Sequence, residues 1–232
     1  TFYKLLNKQI ERNYINLSKY FCVTTHATKN LYDELSPNNP HKIKVIGPLL
    51  SNEATSVFKE SHKKDEPDLV FSFIGTIYKN LRNPEPIIKF IDSIFENEDR
   101  KVTLNFYGDT NDIDIDKYQV SNINLYFHGQ IPRSAALVAM KKSDFLINIG
   151  NTTDYQLPSK IVEYLASQKP IINISSIDKD SSEMVLSRFA GILNINLKES
   201  SFYKEKDEVL KFCNQFQLQN SLTANRDISE FS

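Results

Sequence analysis

Five of the six glycines in this 232-residue chain each close a run of apolar residues. These glycines are Gly47, Gly75, Gly108, Gly129 and Gly150. A glycine at the carboxyl end of a strand allows a sharp exit and lets a ligand approach the backbone. Apolar strands that alternate with helical patterns are typical of a parallel sheet covered on both faces. We therefore expect an α/β fold with a doubly wound parallel sheet, which binds its ligand beyond the carboxyl ends of the strands.

The apolar pattern predicts one complete Rossmann-like domain over residues 68–216. Strands are predicted at 68–74, 102–107, 123–128, 144–149, 170–174 and 191–195. Helices are predicted at 84–97, 133–142, 158–167, near 179–188 and at 203–216, with a short helical or loop region at 111–119. Six strands of this kind are enough for an open sheet with its own core.

The remaining residues are predicted to be a partial unit, a linker and a tail. Residues 1–50 show two helices and two strands, too few for a stable α/β domain, so we expect them to be the end of another domain in a longer protein. Residues 51–67 are polar and close with Pro67, which predicts an interdomain linker. Residues 217–232 lack periodicity and are predicted to form a C-terminal tail, frayed or absorbed by another domain.

Composition excludes several classes of function. The net charge of −1 offers no footprint for nucleic acid, so we expect no nucleic-acid partner. The four histidines lack metal-ligand spacing, and no metal site is expected. The phosphate-binding motifs G-x-G-x-x-G and G-x-x-x-x-G-K-[ST] are missing, as is the G-x-S-x-G motif of hydrolases. The two cysteines predict free thiols in a reducing compartment.

The strongest candidate site lies in residues 157–172, which predict a loop, a buried helix from Pro158, a tight turn and a strand. Lys160 and Glu163 fall on one stripe of that helix. A helix N-terminus beside a lysine can bind phosphate, and a carboxylate one turn later can accept hydrogen bonds from the hydroxyls of a ribose. The alternative is a surface ion pair worth ~0.3 kcal/mol. The apolar residues on either side favour the ligand site.

An ordered set of short motifs carries a resemblance to a known family. The motifs are Phe73-Ile74-Gly75-Thr76, Arg82-Asn83-Pro84-Glu85-Pro86, Asn105-Phe106-Tyr107-Gly108, Phe127-His128-Gly129-Gln130, Ser143-Asp144-Phe145-Leu146, Pro158-Ser159-Lys160-Ile161-Val162-Glu163-Tyr164 and Lys169-Pro170-Ile171. Over residues 68–200 they resemble the donor-binding domain of GT-B glycosyltransferases of the group 1, family 4-like type. Residues 1–50 resemble the end of that family's acceptor-binding domain.

The resemblance implies a nucleotide-sugar donor as substrate, no cofactor, no metal, and retention of anomeric configuration. Lys160 would hold a donor phosphate and stabilise the leaving diphosphate, and Arg82 would be the second catalytic cation. Glu163 would accept hydrogen bonds from the ribose. The other implied donor-binding residues are Gly75, Thr76 and Ser159, with backbone groups of Gln130 and Ile131 at the nucleobase.

In the loop before Pro158 the sequence departs from the family. Family members often carry a carboxylate eight residues before the ribose-binding glutamate, where it contacts the donor sugar. Here that position is Tyr155, and Asp154 is its acidic neighbour. The resemblance therefore predicts nucleotide binding more firmly than it predicts the donor sugar.

The function implied by the resemblance is a hexosyltransferase of cell-surface polysaccharide synthesis. Its acceptor would be a glycan or a lipid-linked glycan. It would be cytoplasmic, with peripheral membrane association through an N-terminal domain, and residues 1–232 alone would be inactive. One alternative is a non-catalytic nucleotide-sugar-binding module, which would lack a full acceptor domain upstream. Another is an unrelated α/β small-molecule binder, which would bind no nucleotide.

Overall fold

The computed structural model of the protein describes residues 2–59, 68–78, 82–110, 113–178, 180–197, 202–218, 224 and 226–231. Its first elements are α1 (Phe2–Leu17), β1 (Phe21–Val23), α2 (His26–Leu35), β2 (Ile43–Val45) and α3 (Asn52–Lys59). The parallel strands β1 and β2 with α1 and α2 form an N-terminal unit. Thr25 caps α2 by accepting a hydrogen bond from the Thr28 amide. The fully buried apolar residues of this unit's cluster are Ile15, Val23 and Ile43.

The rest of the chain forms a six-stranded parallel sheet with helices on both faces. Its elements are β3 (Leu69–Ile74), α4 (Glu85–Ile94), β4 (Val102–Tyr107), β5 (Asn124–Phe127), α5 (Arg133–Lys142), β6 (Phe145–Ile149), α6 (Ile161–Ala166), β7 (Ile171–Ser175), α7 (Ser181–Leu186), β8 (Ile192–Asn196) and α8 (Phe202–Leu218). The strand order is β5-β4-β3-β6-β7-β8, and the chain reverses direction across the sheet between β3 and β6. The doubly wound parallel sheet is confirmed, and the strand ends differ from the predicted ones by no more than a single residue.

Two apolar clusters cover the two faces of this sheet. One joins the strands to α4 and α8 and contains the stacked rings of Phe71 and Phe145. The other joins the opposite face to α3, α5, α6 and α7. Every residue of β6 and β7 is buried, as expected for central parallel strands with helices on both sides.

A row of three asparagines, two buried and one half-buried, crosses the sheet inside these apolar strands. Asn148 of β6, Asn173 of β7 and Asn194 of β8 are register partners. The Asn148 amide donates to the Asn173 side-chain oxygen at 2.7 Å. The Asn173 amide in turn donates to Asn194 at 3.0 Å and to the fully buried carboxylate of Asp180 at 3.1 Å. The row therefore satisfies its buried amides within the sheet.

Two element boundaries differ from the predicted pattern. Within the predicted linker 51–67, residues 52–59 form α3, whose Ala54 is completely buried against the sheet domain; residues 60–67 lie outside the described residues. The helix predicted to begin at Pro158 begins at Ile161 instead, because residues 159–160 form a turn that closes with a hydrogen bond from the Ile161 amide to the Pro158 carbonyl.

The described part of the predicted tail is packed on the sheet domain and is not frayed. Arg226 is only 7% exposed, and its guanidinium donates to the carbonyls of Ala190 at 2.7 Å, Lys169 at 2.9 Å and Gly191 at 3.0 Å. The Phe231 ring is buried in the α3–α5–α6 cluster. These carbonyls end the α6–β7 and α7–β8 connections, so the charged hydrogen bonds hold the tail against them.

Candidate functional site

A cleft of about 1040 Å³ opens between the sheet domain and the N-terminal unit, at the carboxyl ends of β3 and β6. This is the edge at which the chain reverses across the sheet, where open α/β sheets bind ligands. The sheet domain contributes five of the predicted site residues to the lining: Gly75, Thr76, Arg82, Ser159 and Lys160. The N-terminal unit contributes Thr24, Thr28 and Tyr32 from around α2.

The floor of the cleft depends on a close approach of two glycines. Gly108, after β4, has a φ of +135°, which side chains rarely adopt. A Cβ atom at this position would lie 2.2 Å from the Gly75 carbonyl oxygen. Glycine is therefore required at Gly108 for the loops after β3 and β4 to meet, and the Gly75 backbone stays open to the cleft.

Arg82 is a half-buried cation on the wall of the cleft. Its Nε donates to the side-chain oxygen of Asn151 at 2.7 Å. Burial lowers the pKa of its guanidinium, while the nearby Tyr164, Tyr78 and Asp180 oppose that shift. The ordinary pKa of arginine lies far above neutral pH, so the guanidinium of Arg82 stays charged at neutral pH although its pKa is lowered.

Lys160 and Glu163 form an ion pair, as their spacing predicts, but the carboxylate is also held from a second side. Lys160 Nζ lies 2.8 Å from Glu163 Oε2, and Arg133 Nη2 lies 2.5 Å from Oε1. The Glu163 side chain is 8% exposed and the Lys160 side chain 29%. Apart from this ion pair, the buried Oε2 has no hydrogen-bond partner among the described residues.

Arg133 is a site residue that the sequence reasoning missed. It is the first residue of α5, and besides Glu163 it contacts Glu53 at 3.3 Å and the Ser51 hydroxyl at 2.9 Å. Its position directly after the predicted base-reading segment was the available signal. Arg133 therefore connects the candidate ribose carboxylate to the segment that begins α3.

Tyr164 fixes α6 to the end of β3. Its buried hydroxyl accepts a hydrogen bond from the Ile74 amide at 2.7 Å, one residue before Gly75. Burial raises the pKa of this hydroxyl, so it remains a neutral donor and acceptor. The contact brings Glu163 on α6, and Lys160 directly before that helix, into a fixed relation with the glycine loop after β3.

The loop 151–157 joins the two sides of the cleft. The Tyr155 carbonyl accepts hydrogen bonds from the hydroxyls of Thr25 at 2.8 Å and Thr28 at 2.7 Å, both from the N-terminal unit. Tyr155 lines the cleft. Asp154, which the sequence offered as a replacement carboxylate, is exposed and lies outside the lining, so the structure does not bring it to the site.

The predicted nucleobase contacts lie away from this lining. Gln130 is exposed, and Ile131 packs against the α3–α5–α6 cluster. Beside them the His128 ring stacks on Tyr107 with centroids 4.3 Å apart and is within 2.7 Å of the Asn105 side-chain oxygen. The base-reading role of Gln130 and Ile131 stays a prediction.

Two kinds of feature are missing from the described residues. No group of three or more histidine, cysteine, aspartate or glutamate side chains there could hold a metal ion. None of the helices within the described ranges combines the length and the apolar character that a membrane crossing requires.

Comparison with known proteins gives similar structures but no similar sequence. No protein-family model and no curated protein sequence matches the chain. TarM has a TM-score of 0.63 at 15% identity, with 93% of this chain and 40% of TarM covered. WaaG, a glycosyltransferase involved in lipopolysaccharide biosynthesis, has a TM-score of 0.60 at 11% identity, with coverage of 85% and 54%. HepE of Anabaena, in complex with UDP and glucose, has 0.60 at 13% identity, with coverage of 97% and 61%.

These similarities show the fold. TarM, WaaG and HepE are GT-B glycosyltransferases, and the chain has the corresponding Rossmann-like architecture, as the sequence predicted. The chain spans between 40% and 61% of the length of these three proteins.

Proposed function

We propose that the chain is the nucleotide-sugar-binding part of a GT-B glycosyltransferase of the group 1, family 4-like type. The donor would lie in the cleft at the carboxyl ends of β3 and β6. The sugar would pass to a glycan or lipid-linked acceptor, with retention of configuration and without a metal. The observation that carries this proposal is the pair of cations, Arg82 and Lys160, which line one cleft beside the buried carboxylate of Glu163.

The two cations suit the departure of a nucleoside diphosphate. Negative charge develops on the diphosphate as the bond to the sugar breaks, and a metal-independent site must neutralise it with fixed positive groups. Arg82 and Lys160 supply these groups from two different walls of the cleft, with Gly75 leaving space for the phosphates. In this role Ser159 and Thr76 are polar neighbours of the diphosphate.

Glu163 suits a ribose because, among the described residues, its buried Oε2 has the Lys160 ammonium as its one partner. A carboxylate oxygen can accept more than one hydrogen bond, so Oε2 keeps the capacity to accept one from a ligand hydroxyl. Arg133 holds the other oxygen, so the carboxylate has a defined direction. The ribose and Lys160 would then both contact the Glu163 carboxylate. The ion pair would thus connect the residue that binds the ribose to the residue that binds the diphosphate.

Two neighbours in fold support the proposed setting. WaaG acts in lipopolysaccharide biosynthesis, and the binding of UDP with glucose by HepE is consistent with a nucleotide-hexose donor. We propose a role in cell-surface polysaccharide synthesis on the cytoplasmic side, with contact to the inner face of the membrane through an acceptor domain. Residues 1–232 alone are expected to bind nucleotide without transferring sugar; transfer by this chain would contradict that expectation.

The first test is calorimetric binding of UDP, GDP, ADP and CMP to the chain. At least one should bind, and its uncharged nucleoside should bind more weakly. Lys160→Ala should weaken the diphosphate by ~1.5–3 kcal/mol, the value of a charge-assisted hydrogen bond, and leave the nucleoside nearly unchanged. Lys142→Ala, an exposed lysine at the end of α5, is the matched control. Binding of none of the four nucleotides would exclude the proposed function.

The second test addresses the ribose. Glu163→Gln removes the charge and keeps the shape, and should cost ~1–2 kcal/mol for a ribonucleotide. The loss should be much smaller for the 2′-deoxy form, because one hydroxyl donor is already gone. Strictly additive losses in the four-way cycle of protein and ligand would mean that Glu163 does not touch the ribose.

A further inference from the structure

We propose that Asn151 is a positioning residue that aims the Arg82 guanidinium into the cleft and ties it to the loop 151–157. The inference rests on the proposed function, because it assigns the control of a cation that would bind the donor diphosphate. The buried side chain of Asn151 makes two hydrogen bonds, one as an acceptor and one as a donor.

Asn151 lies just after β6 and is 3% exposed. Its side-chain oxygen accepts the hydrogen bond from Arg82 Nε, and its side-chain nitrogen donates to the Gln156 carbonyl at 2.9 Å. Only an amide offers an acceptor and a donor at these two places on a side chain of this length. An aspartate could accept from Arg82 but could not donate to the loop.

The hydrogen bond to Asn151 determines which nitrogens of the Arg82 guanidinium remain to bind a ligand. With Nε engaged, the two terminal nitrogens remain for a ligand, and they form the fork that matches a phosphate. Nη1 lies beside Gly75, since a Cβ added there would be 3.7 Å from this nitrogen. Without Asn151, the long arginine side chain would sample other rotamers, and binding a diphosphate would have to restrict them.

The backbone around Asn151 is held on both sides. A Cβ at Gly150 would lie 2.9 Å from the buried Asp180 carboxylate, so the preceding residue packs directly against that acid. The Gln156 carbonyl accepts a second hydrogen bond from the Ser181 hydroxyl at 2.7 Å. Asn151 is therefore anchored by its surroundings, and the Arg82 guanidinium is the group that it orients.

The same anchor connects Arg82 to the N-terminal unit. Gln156 follows Tyr155, whose carbonyl is bound by Thr25 and Thr28. Hydrogen bonds from the N-terminal unit and from Asn151 thus end on the carbonyls of two adjacent residues of the loop, Tyr155 and Gln156.

The test compares Asn151→Ala with Ser181→Ala, alone and combined with Arg82→Gln. Ser181→Ala is the matched control, since it removes a hydrogen bond to the same loop carbonyl and leaves Arg82 alone. Calorimetry would use UDP and uridine, or the diphosphate and nucleoside of whichever base the four-nucleotide screen selects. Asn151→Ala should weaken UDP about fivefold and uridine by less than about twofold. In the Arg82→Gln background its effect on UDP should fall below about twofold, because residues acting through one contact are not additive.

The outcomes separate the two proposals. If the wild-type chain binds no nucleotide, the proposed function fails. If it binds UDP but Asn151→Ala leaves the affinity unchanged, weakens uridine equally, or has its full effect without Arg82, the positioning role is overturned. An Asn151→Ala protein that does not fold would be replaced by Asn151→Ser, whose hydroxyl is too short to reach Arg82 and should produce the same selective loss.

Discussion

The N-terminal unit and the sheet domain are both built from parallel strands and helices, but their hydrophobic cores differ greatly in size. The sheet domain holds clusters of 23 and 13 buried residues within the described ranges, and the N-terminal unit holds three. Each buried aliphatic side chain contributes about 1.5–3 kcal/mol, so the two units differ greatly in the stability they can support. The candidate site lies between them, and its candidate catalytic groups, Arg82 and Lys160, both belong to the sheet domain.

This difference separates the roles of the two sides of the cleft. Arg82, Lys160 and Glu163 lie on a scaffold stable enough to hold charged groups in place. The N-terminal unit contributes hydroxyls to the loop 151–157 from a small structure that opens more easily. Four predictions use this contrast, starting with the one for which we expect the largest difference.

The two cysteines report on the two units separately. Cys213 is fully buried in α8, and burial raises the pKa of its thiol to about 12, whereas Cys22 of β1 is exposed. A thiol with that pKa is about one part in ten thousand thiolate at pH 8. We expect a chromogenic disulfide reagent to titrate one thiol per native chain quickly and the second only after denaturation. Fast reaction of both thiols would contradict the stable packing of α8.

Truncation of one core side chain in each unit should have the second-largest effect and should distinguish the stabilities of the two units. Phe71→Ala removes a completely buried ring that packs on Phe145 and should cost about 3–5 kcal/mol in the unfolding of the sheet domain. Ile15→Ala in α1 should leave that transition nearly unchanged and increase amide hydrogen exchange in β1 and β2. Equal loss of stability in both variants would show that the chain unfolds as one cooperative body.

Arg226→Gln should have an intermediate effect. Its loss leaves several carbonyls at the α6–β7 and α7–β8 turns without a donor, and charged hydrogen bonds of this type contribute about 1.5–3 kcal/mol. Urea unfolding should show a loss near the middle of that range. Arg188→Gln, at an exposed arginine nearby, should change stability by less than about 0.5 kcal/mol. Equal effects would mean that the tail is not held by the buried guanidinium.

Arg133→Gln should have the smallest effect, because its side chain is 45% exposed. It should weaken ribonucleotide binding by about 0.5–1 kcal/mol, with little change for the 2′-deoxy form, since it orients Glu163. Glu53→Gln removes the contact of Arg133 with α3 and leaves Glu163 in place, so it is the control. If Glu53→Gln weakened ribonucleotide binding more than Arg133→Gln did, the effect on binding would come from α3 and not from the orientation of Glu163 by Arg133.

The sheet was predictable because its strands carry a local signal: apolar runs such as Phe145–Ile149 end at a glycine. α3 was missed because Ser51–Lys59 is mostly polar and only Ala54 is completely buried. Lys160 and Glu163 lie three residues apart, so their ion pair could be read from the sequence. The contacts Arg133–Glu163 and Arg82–Asn151 join residues that are 30 and 69 positions apart. Such pairs depend on how helices and loops pack in three dimensions, and a short stretch of sequence contains no information on that packing.

The asparagine row across β6, β7 and β8 has a consequence for how these strands find one another. Their sequences, FLINI, IINIS and ILNIN, are otherwise almost interchangeable aliphatic segments that could pair in shifted alignments. A two-residue shift of β6 against β7 that set Asn148 opposite Ile171 would keep the isoleucines on their face but would leave the Asn148 amide among apolar side chains. An unpaired buried amide costs about 1–3 kcal/mol. The native alignment pairs Asn148 with Asn173 and Asn173 with Asn194, and the cost of an unpaired amide therefore disfavours that shifted pairing of β6 with β7.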